Sequence, residues 1–111
     1  MPQNSAKELV VMVTTPPAEA EKLAQTLVDE ALVACINILP QVQSVYKWQG
    51  AVVKEQESLL VIKTTDAAFA KLEKRISELH SYDVPEIIAV PVANGSKAYL
   101  DWLRGAVKVH D

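Results

Sequence analysis

Two long runs of β-favouring residues, on either side of Gln49-Gly50, dominate the pattern of apolar and polar positions. The first extends from about Ala34 to Trp48 and the second from Ala51 to Thr65. A strand of the first length extends on the order of 45–50 Å at ~3.3 Å per residue, whereas a compact domain of this size is roughly 35 Å across. We therefore expect the hairpin to project beyond its own core. Such a hairpin needs a partner, most simply a second copy of the chain.

The segments around the hairpin alternate between strand and helix patterns. An unbroken apolar run within residues 8–14 predicts a strand covered by its neighbours. Thr15 as N-cap, with Pro16 at the first helical position, predicts that a helix follows. A second helix is predicted to be capped by Thr65 or Asp66. Its buried stripe is expected to consist of Phe69, Leu72, Ile76 and Leu79.

A fourth strand over residues 86–92 and a short helix capped by Ser96 complete a β-α-β-β-α-β order with a C-terminal helix. Strands two and four contain Pro40 and Pro91, which cannot donate to a ladder, so both strands are expected at sheet edges. A bend or bulge is expected at Pro40. The pattern predicts an α+β fold of the ferredoxin-like type, with an antiparallel sheet, strands one and three central, and both main helices on one face.

Length, composition and charge narrow the class of protein. A chain of 111 residues, half of them apolar, predicts one domain over residues 1–111, with a flexible polar segment at residues 1–7. The net charge of −3 argues against a nucleic-acid partner, because phosphate binding needs a basic face. No apolar run approaches the ~20 residues of a membrane span, so no membrane partner is expected. The single cysteine, Cys35, suits a reducing compartment, and we interpret the protein as cytoplasmic.

Few residues of the chain are candidates for catalysis or metal binding. The three glycines form no phosphate-binding loop and no nucleophile–base pair is visible, so the chain is not expected to be an enzyme. Cys35 and His80 are candidate metal ligands. Each also has a simpler interpretation: a free cysteine in an apolar strand is usually part of the core, and a histidine at a helix C-terminus is favoured by the helix dipole.

Aromatic and charged residues indicate a second kind of site. The aromatic side chains either pack in the core or at a subunit interface, or line a ligand cleft where a ring and a hydrogen-bonding tip are both useful. Lys63 and Glu86 lie beside covered strands and need partners. We expect Lys63 to pair with Glu86 or Glu57, in a structural ion pair or in a binding site. The aromatic candidates are Tyr46, Trp48, Tyr82 and Trp102.

Five segments, in order, resemble the CutA family of divalent-cation tolerance proteins. The resemblance extends from about residue 8 to residue 106. It implies a PII-like homotrimer of ferredoxin-like subunits whose long hairpins extend onto their neighbours, and a link to copper and divalent-ion tolerance. The matching segments are Ala-Cys-Ile-Asn-Ile-Leu-Pro at 34–40, Val-Tyr-Lys-Trp-Gln-Gly at 45–50, Ile-Lys-Thr-Thr at 62–65, Tyr-Asp-Val-Pro-Glu at 82–86 and Tyr-Leu-Asp-Trp-Leu at 99–103.

Only part of the metal site proposed for the family is present in this sequence. Copper ligation proposed in the family uses a cysteine at the end of strand one and a His-His pair before Tyr-x-x-Pro-Glu. Those positions here hold Val13, Leu79 and His80, and only His80 can bind a metal. Cu²⁺ or another divalent cation is therefore expected to bind weakly through His80, with Cys35 as the second candidate ligand, and no cofactor is expected to be obligatory.

Two alternatives to a metal-tolerance protein stay open. One is a purely structural trimeric scaffold. The other is a PII-like regulator that holds a small anionic or metal ligand between subunits. Its cleft would be lined by Tyr46, Trp48, Lys63, Tyr82, Glu86 and Trp102.

Overall fold

Four antiparallel strands and three helices make up residues 8–108, the part of the chain that the computed structural model describes. The sheet order is β2-β3-β1-β4. It confirms the predicted ferredoxin-like α+β fold, with the two proline-bearing strands at the edges. The expected flexibility of residues 1–7 lies outside the described residues. The elements are β1 (Glu8–Thr15), α1 (Pro17–Asp29), β2 (Cys35–Trp48), β3 (Ala51–Thr65), α2 (Asp66–Leu79), β4 (Ile88–Pro91) and α3 (Lys97–Ala106).

The β2-β3 hairpin projects from the body of the domain, as its length predicted. The described chain measures 46 × 28 × 25 Å, so it is far longer in one direction than in the others. Gln49 and Gly50 both have positive φ, at 51° and 83°, as a two-residue type I′ turn requires. The pairing register shifts between Leu39 and Val42. This confirms the irregularity expected at Pro40, which cannot donate to the ladder.

The core lies between the sheet and the two main helices. Leu60 and Ile62 of β3, with Val11 and Val13 of β1, are fully buried against helix side chains. One stripe prediction was wrong: Leu79 is 38% exposed. It lies in the last turn of α2 and lines a surface depression along α1, so part of its side chain stays in contact with solvent.

Two element boundaries differ from those predicted. Thr15 is the last residue of β1, fully buried and paired with Ser58, rather than a helix cap. The helix begins at Pro17, and Pro16 is the residue before it. Strand four is shorter than residues 86–92, because its pairing with β1 starts only at Ile88. Among the described residues, no helix is long and apolar enough to cross a membrane.

Candidate ligand cleft

The face of the sheet opposite the two main helices is largely uncovered. Residues that alternate with the buried ones along each strand point to this side, which we call the open face. Several of them are apolar and only half-buried or exposed. They are Val10, Met12, Leu59, Val61, Ile88 and Val90.

A cleft of about 710 Å³ lies where the hairpin leaves the open face, between the hairpin and the segment that follows α2. It contains four of the six residues predicted for a ligand cleft: Tyr46, Trp48, Tyr82 and Glu86. The lining residues are Thr14, Ser44, Val45, Tyr46, Trp48, Glu55, Glu57, Tyr82, Asp83, Val84 and Glu86.

The hairpin register explains why so many polar side chains face the cleft. Ser44 pairs with Glu55, and Tyr46 pairs with Val53, and paired residues point to the same side of a sheet. Alternate residues of both strands therefore share the cleft side, and the Tyr46 hydroxyl donates to Glu55 Oε1 at 2.9 Å. This hydrogen bond to a carboxylate raises the pKa of Tyr46.

Glu57 lies at the base of the cleft and is only 5% exposed. Ser44 Oγ donates to its Oε1 at 2.5 Å, and the Tyr82 hydroxyl donates to its Oε2 at 2.9 Å. Burial, and then the hydrogen bond to Glu57, raise the pKa of Tyr82. From the sequence, Glu57 is predicted only as a partner for Lys63. Glu57 directly precedes an apolar strand segment, and this position indicates that its carboxylate is buried and needs hydrogen-bonding partners.

The cleft is strongly acidic. Its lining contains four carboxylates, from Glu55, Glu57, Asp83 and Glu86, and no lysine or arginine. None of the four takes part in an ion pair within residues 8–108. The hairpin's lysines are not among the lining residues: Lys47 lies between Tyr46 and Trp48, and Lys54 directly precedes Glu55, so both lysines point away from these cleft side chains. The cleft thus has a negative potential that attracts cations.

His80 fixes the segment that closes one side of the cleft. His80 is 8% exposed and lies at the C-terminus of α2. Nε2 lies 2.8 Å from the Thr14 carbonyl oxygen, and Nδ1 lies 3.1 Å from the Tyr82 backbone nitrogen. A carbonyl only accepts and a backbone N–H only donates, so Nε2 carries the hydrogen and Nδ1 accepts. Both ring nitrogens are therefore occupied.

The other predicted site residues lie elsewhere in the chain. The Lys63 ammonium donates to Asn37 Oδ1, and pairs with neither Glu86 nor Glu57. Lys63 is six residues along β3 from Glu57, which is about 20 Å in a strand. The Trp102 ring packs 5.5 Å from that of Tyr99 on the same helix. Within one subunit, the predicted cleft residues therefore lie at two separate places.

Cys35, the second candidate metal ligand, belongs to the Lys63 side of the sheet. It pairs with Lys63 in the β2-β3 ladder and is half-buried rather than fully within the core. Burial, and then the neighbouring Cys35 thiol, raise the pKa of Tyr99. Within residues 8–108, no three His, Cys, Asp or Glu side chains cluster in a way that could hold a metal ion.

Known proteins match this chain over nearly all of its described length. The sequence pattern of the family described as CutA1 divalent ion tolerance protein matches residues 9–106. The chain belongs to the CutA1 family. The divalent-cation tolerance protein CutA of Thermus thermophilus is 54% identical over 98 residues, which cover 87% of this chain and 95% of that protein. The chloroplastic CutA of Arabidopsis thaliana is 46% identical over 101 residues, 90% of this chain but only 56% of that protein.

Solved CutA structures share the fold as well as the sequence. The Thermus thermophilus protein superposes with a TM-score of 0.88 at 51% identity, over 91% of this chain and 99% of that one. A PII-like CutA protein from Nostoc, in its apo form, has a TM-score of 0.88 at 34% identity, over 92% and 99% of the two chains. These matches confirm the CutA resemblance and the PII-like subunit fold predicted from the sequence.

Proposed function

We propose that this CutA1 chain is a cytoplasmic homotrimer that serves divalent-cation tolerance by binding rather than by catalysis. The observation that carries the proposal is the family match over residues 9–106, together with a relative that is 54% identical and named for divalent-cation tolerance. The single cysteine, Cys35, suits the reducing cytoplasm.

The uncovered surfaces of the subunit support a trimer. The open face carries six half-buried or exposed apolar side chains from three strands, and contiguous apolar surface of this kind usually marks an interaction site. The outer edge of β2 pairs with no other strand of residues 8–108. A long free edge is a template for pairing with another chain, so edge-to-edge contact between hairpins would protect both.

Sedimentation equilibrium tests the assembly. We expect a single species of three times the 12.2 kDa chain mass at micromolar concentration. A monomer at that concentration would refute the trimer and leave the exposed hairpin without an explanation.

The metal role that we propose is weak binding of Cu²⁺ or another divalent cation through His80. Because both ring nitrogens are hydrogen-bonded, a metal has to displace the Thr14 carbonyl or the Tyr82 N–H. This competition accounts for weak affinity. Calorimetric titration of Cu²⁺ and Zn²⁺ into the wild type and into His80→Asn tests it, with Cys35→Ala as the matched control. We expect weak heats that only His80→Asn abolishes; equal heats in all three proteins would exclude His80 as a ligand.

A second candidate function is PII-like binding of a small molecule in the cleft. Two observations favour it: the cleft of about 710 Å³, and the structural similarity to a Nostoc protein described as PII-like. If Lys63 and Trp102 contribute, they have to come from a neighbouring subunit, because they lie away from the cleft of their own chain. A trimer that binds neither metal nor small molecule would instead be a structural scaffold.

A further inference from the structure

The segment between β4 and α3 contains the dipeptide Asn94-Gly95. Residues 92–96 have no regular secondary structure, and Asn94, Gly95 and Ser96 are exposed. Neither the Asn94 side chain nor the Gly95 backbone N–H makes a hydrogen bond to another group of residues 8–108. The side-chain amide of Asn94 and the backbone nitrogen that follows it are therefore not held by the fold.

These two groups are the ones that react when an asparagine deamidates. The Gly95 nitrogen loses its proton to base and attacks Cγ of Asn94. The new N–Cγ bond closes a five-membered succinimide ring, and the Cγ–Nδ2 bond breaks to release ammonia. Water then opens the ring: cleavage of the new N–Cγ bond gives aspartate, and cleavage of the original peptide bond gives isoaspartate. Water is the only co-reactant, and nothing is oxidised or reduced.

Glycine at position 95 favours this reaction, because no side chain shields its nitrogen and its backbone adopts many conformations. The packing of α3 also favours glycine there. A Cβ at this position would lie 3.1 Å from Leu100 Cδ1 and 3.2 Å from Leu100 Cδ2, closer than ordinary van der Waals contact. The fold therefore favours, directly after Asn94, the residue that makes an asparagine most reactive.

Asn37 is exposed as well, but the fold holds it in place. It pairs with Val61 in the β2-β3 ladder, and its Oδ1 accepts a hydrogen bond from the Lys63 ammonium. The attacking nitrogen would be that of Ile38, which pairs with Leu60 in the same ladder and has a stiff, β-branched side chain. Asn37 is therefore a matched control within the same chain.

We propose that Asn94 is a site of spontaneous deamidation, at which aspartate and isoaspartate accumulate as the protein ages. Either product adds one negative charge to the formal net charge of −3. The charge arises two residues before Ser96, the N-cap of α3, where the helix dipole favours it. The isoaspartyl product also lengthens the main chain by one carbon, so it should disturb the hydrogen bond from the Tyr99 N–H to Ser96 Oγ.

Mass spectrometry of the folded, assembled protein after incubation at about pH 8.5 and 37 °C tests the proposal. Trypsin places Asn94 and Asn37 on different peptides, residues 76–97 and 23–47, and the first contains no other asparagine or glutamine. We expect the peptide 76–97 to gain about 1 Da at least tenfold faster than the peptide 23–47. The rate should fall at least tenfold at about pH 6, because the attacking nitrogen has to lose its proton.

Two references separate the chemistry from the influence of the fold. Gly95→Ala should slow the reaction at least tenfold, and a synthetic peptide of residues 90–99 gives the rate without the fold. The proposal is overturned if the assembled protein reacts at less than one-tenth of the peptide's rate, because the fold or a neighbouring subunit then shields Asn94. It is also overturned if Gly95→Ala reacts as fast as the wild type, or if Asn37 reacts faster than Asn94. Should Gly95→Ala fail to fold, the comparison with the synthetic peptide decides.

Discussion

The phenolic oxygen of Tyr82 lies 2.9 Å from Glu57 Oε2, and this hydrogen bond joins the segment after α2 to the base of the hairpin. Tyr82 is also held through its backbone, whose N–H donates to His80 Nδ1. The ring of His80 lies 4.7 Å from that of Tyr82. The cleft is thus built on a connected set of hydrogen bonds that begins at the Thr14 carbonyl and ends at Glu57.

Removing the Tyr82 hydroxyl should destabilise the fold. Tyr82→Phe leaves one oxygen of the buried Glu57 without its donor, which costs about 1–3 kcal/mol of unfolding free energy. Urea unfolding followed by circular dichroism measures the loss. The matched control is Tyr46→Phe, whose partner Glu55 is more exposed and can bind water instead, so we expect a change within about 0.5 kcal/mol. Equal losses in the two variants would show that burial of Glu57 has no energetic consequence.

The core should respond very differently to the same substitution at two leucines. Leu60 is fully buried in the centre of β3, so Leu60→Ala should cost about 2–5 kcal/mol through lost burial and the cavity left behind. Leu79, at 38% exposure, should lose less than about 1 kcal/mol as alanine, since alanine also favours the helix. Thermal unfolding compares them. A cost at Leu79 close to that at Leu60 would mean that another surface covers it.

A charge on the hairpin should weaken the proposed trimer. Val45 is 57% exposed on β2, so Val45→Lys has little effect within one subunit. If hairpins meet in the trimer, each interface gains an unpaired charge, and the trimer dissociation constant should rise at least tenfold, about 1.4 kcal/mol. Sedimentation equilibrium over a dilution series measures it. Val28→Lys, at a 43% exposed position on α1, is the control. Identical dissociation in both variants would place the interface elsewhere.

Local features of the sequence were sufficient to predict most of the fold. Pro40 and Pro91 identified the edge strands because proline lacks an N–H, which is a property of one residue and needs no tertiary information. Thr65 and Ser96 were recognised as helix caps, and each side chain accepts from a backbone N–H three residues on, at 3.3 and 3.2 Å. The prediction of Thr15 as a cap was wrong because Thr15 is buried through its pairing with β3, a contact that the local sequence does not reveal.

The cleft was predicted only in part, because its composition depends on register and strand order. Tyr46 and Trp48 were grouped correctly from their alternation along one strand, which a local pattern reveals. Lys63 was grouped with them by its charge in an apolar strand. The ladder shows that it lies six residues from Glu57 and reaches Asn37 instead. The acidity of the cleft was not predicted either. Its four carboxylates come from β3 and from the segment after α2, and only the strand order brings these two parts of the chain together.

The ion pair between Glu30 and Arg75 should make stability depend on pH in the acid range. Arg75 donates to both oxygens of Glu30, at 2.8 Å from Nε and 2.7 Å from Nη2, and so joins the end of α1 to α2. The hydrogen bond from Arg75 lowers the pKa of Glu30 below its ordinary value of 4.5. Since the pKa is lower in the folded state, the pair stabilises the fold above the unfolded pKa, and this contribution is lost as the pH falls through the folded pKa.

Glu30→Gln should therefore lower the urea midpoint slightly at pH 7, as expected for an exposed pair. This difference from the wild type should shrink as the pH is lowered to 2.5, because protonation of Glu30 removes its charge. Urea titrations of the wild type and Glu30→Gln at the two pH values measure the difference. Glu73→Gln, on the exposed surface of α2, should show no pH-dependent difference from the wild type. A Glu30→Gln penalty of the same size at both pH values would show that the side chain contributes through packing, and that the charge of Glu30 does not stabilise the fold.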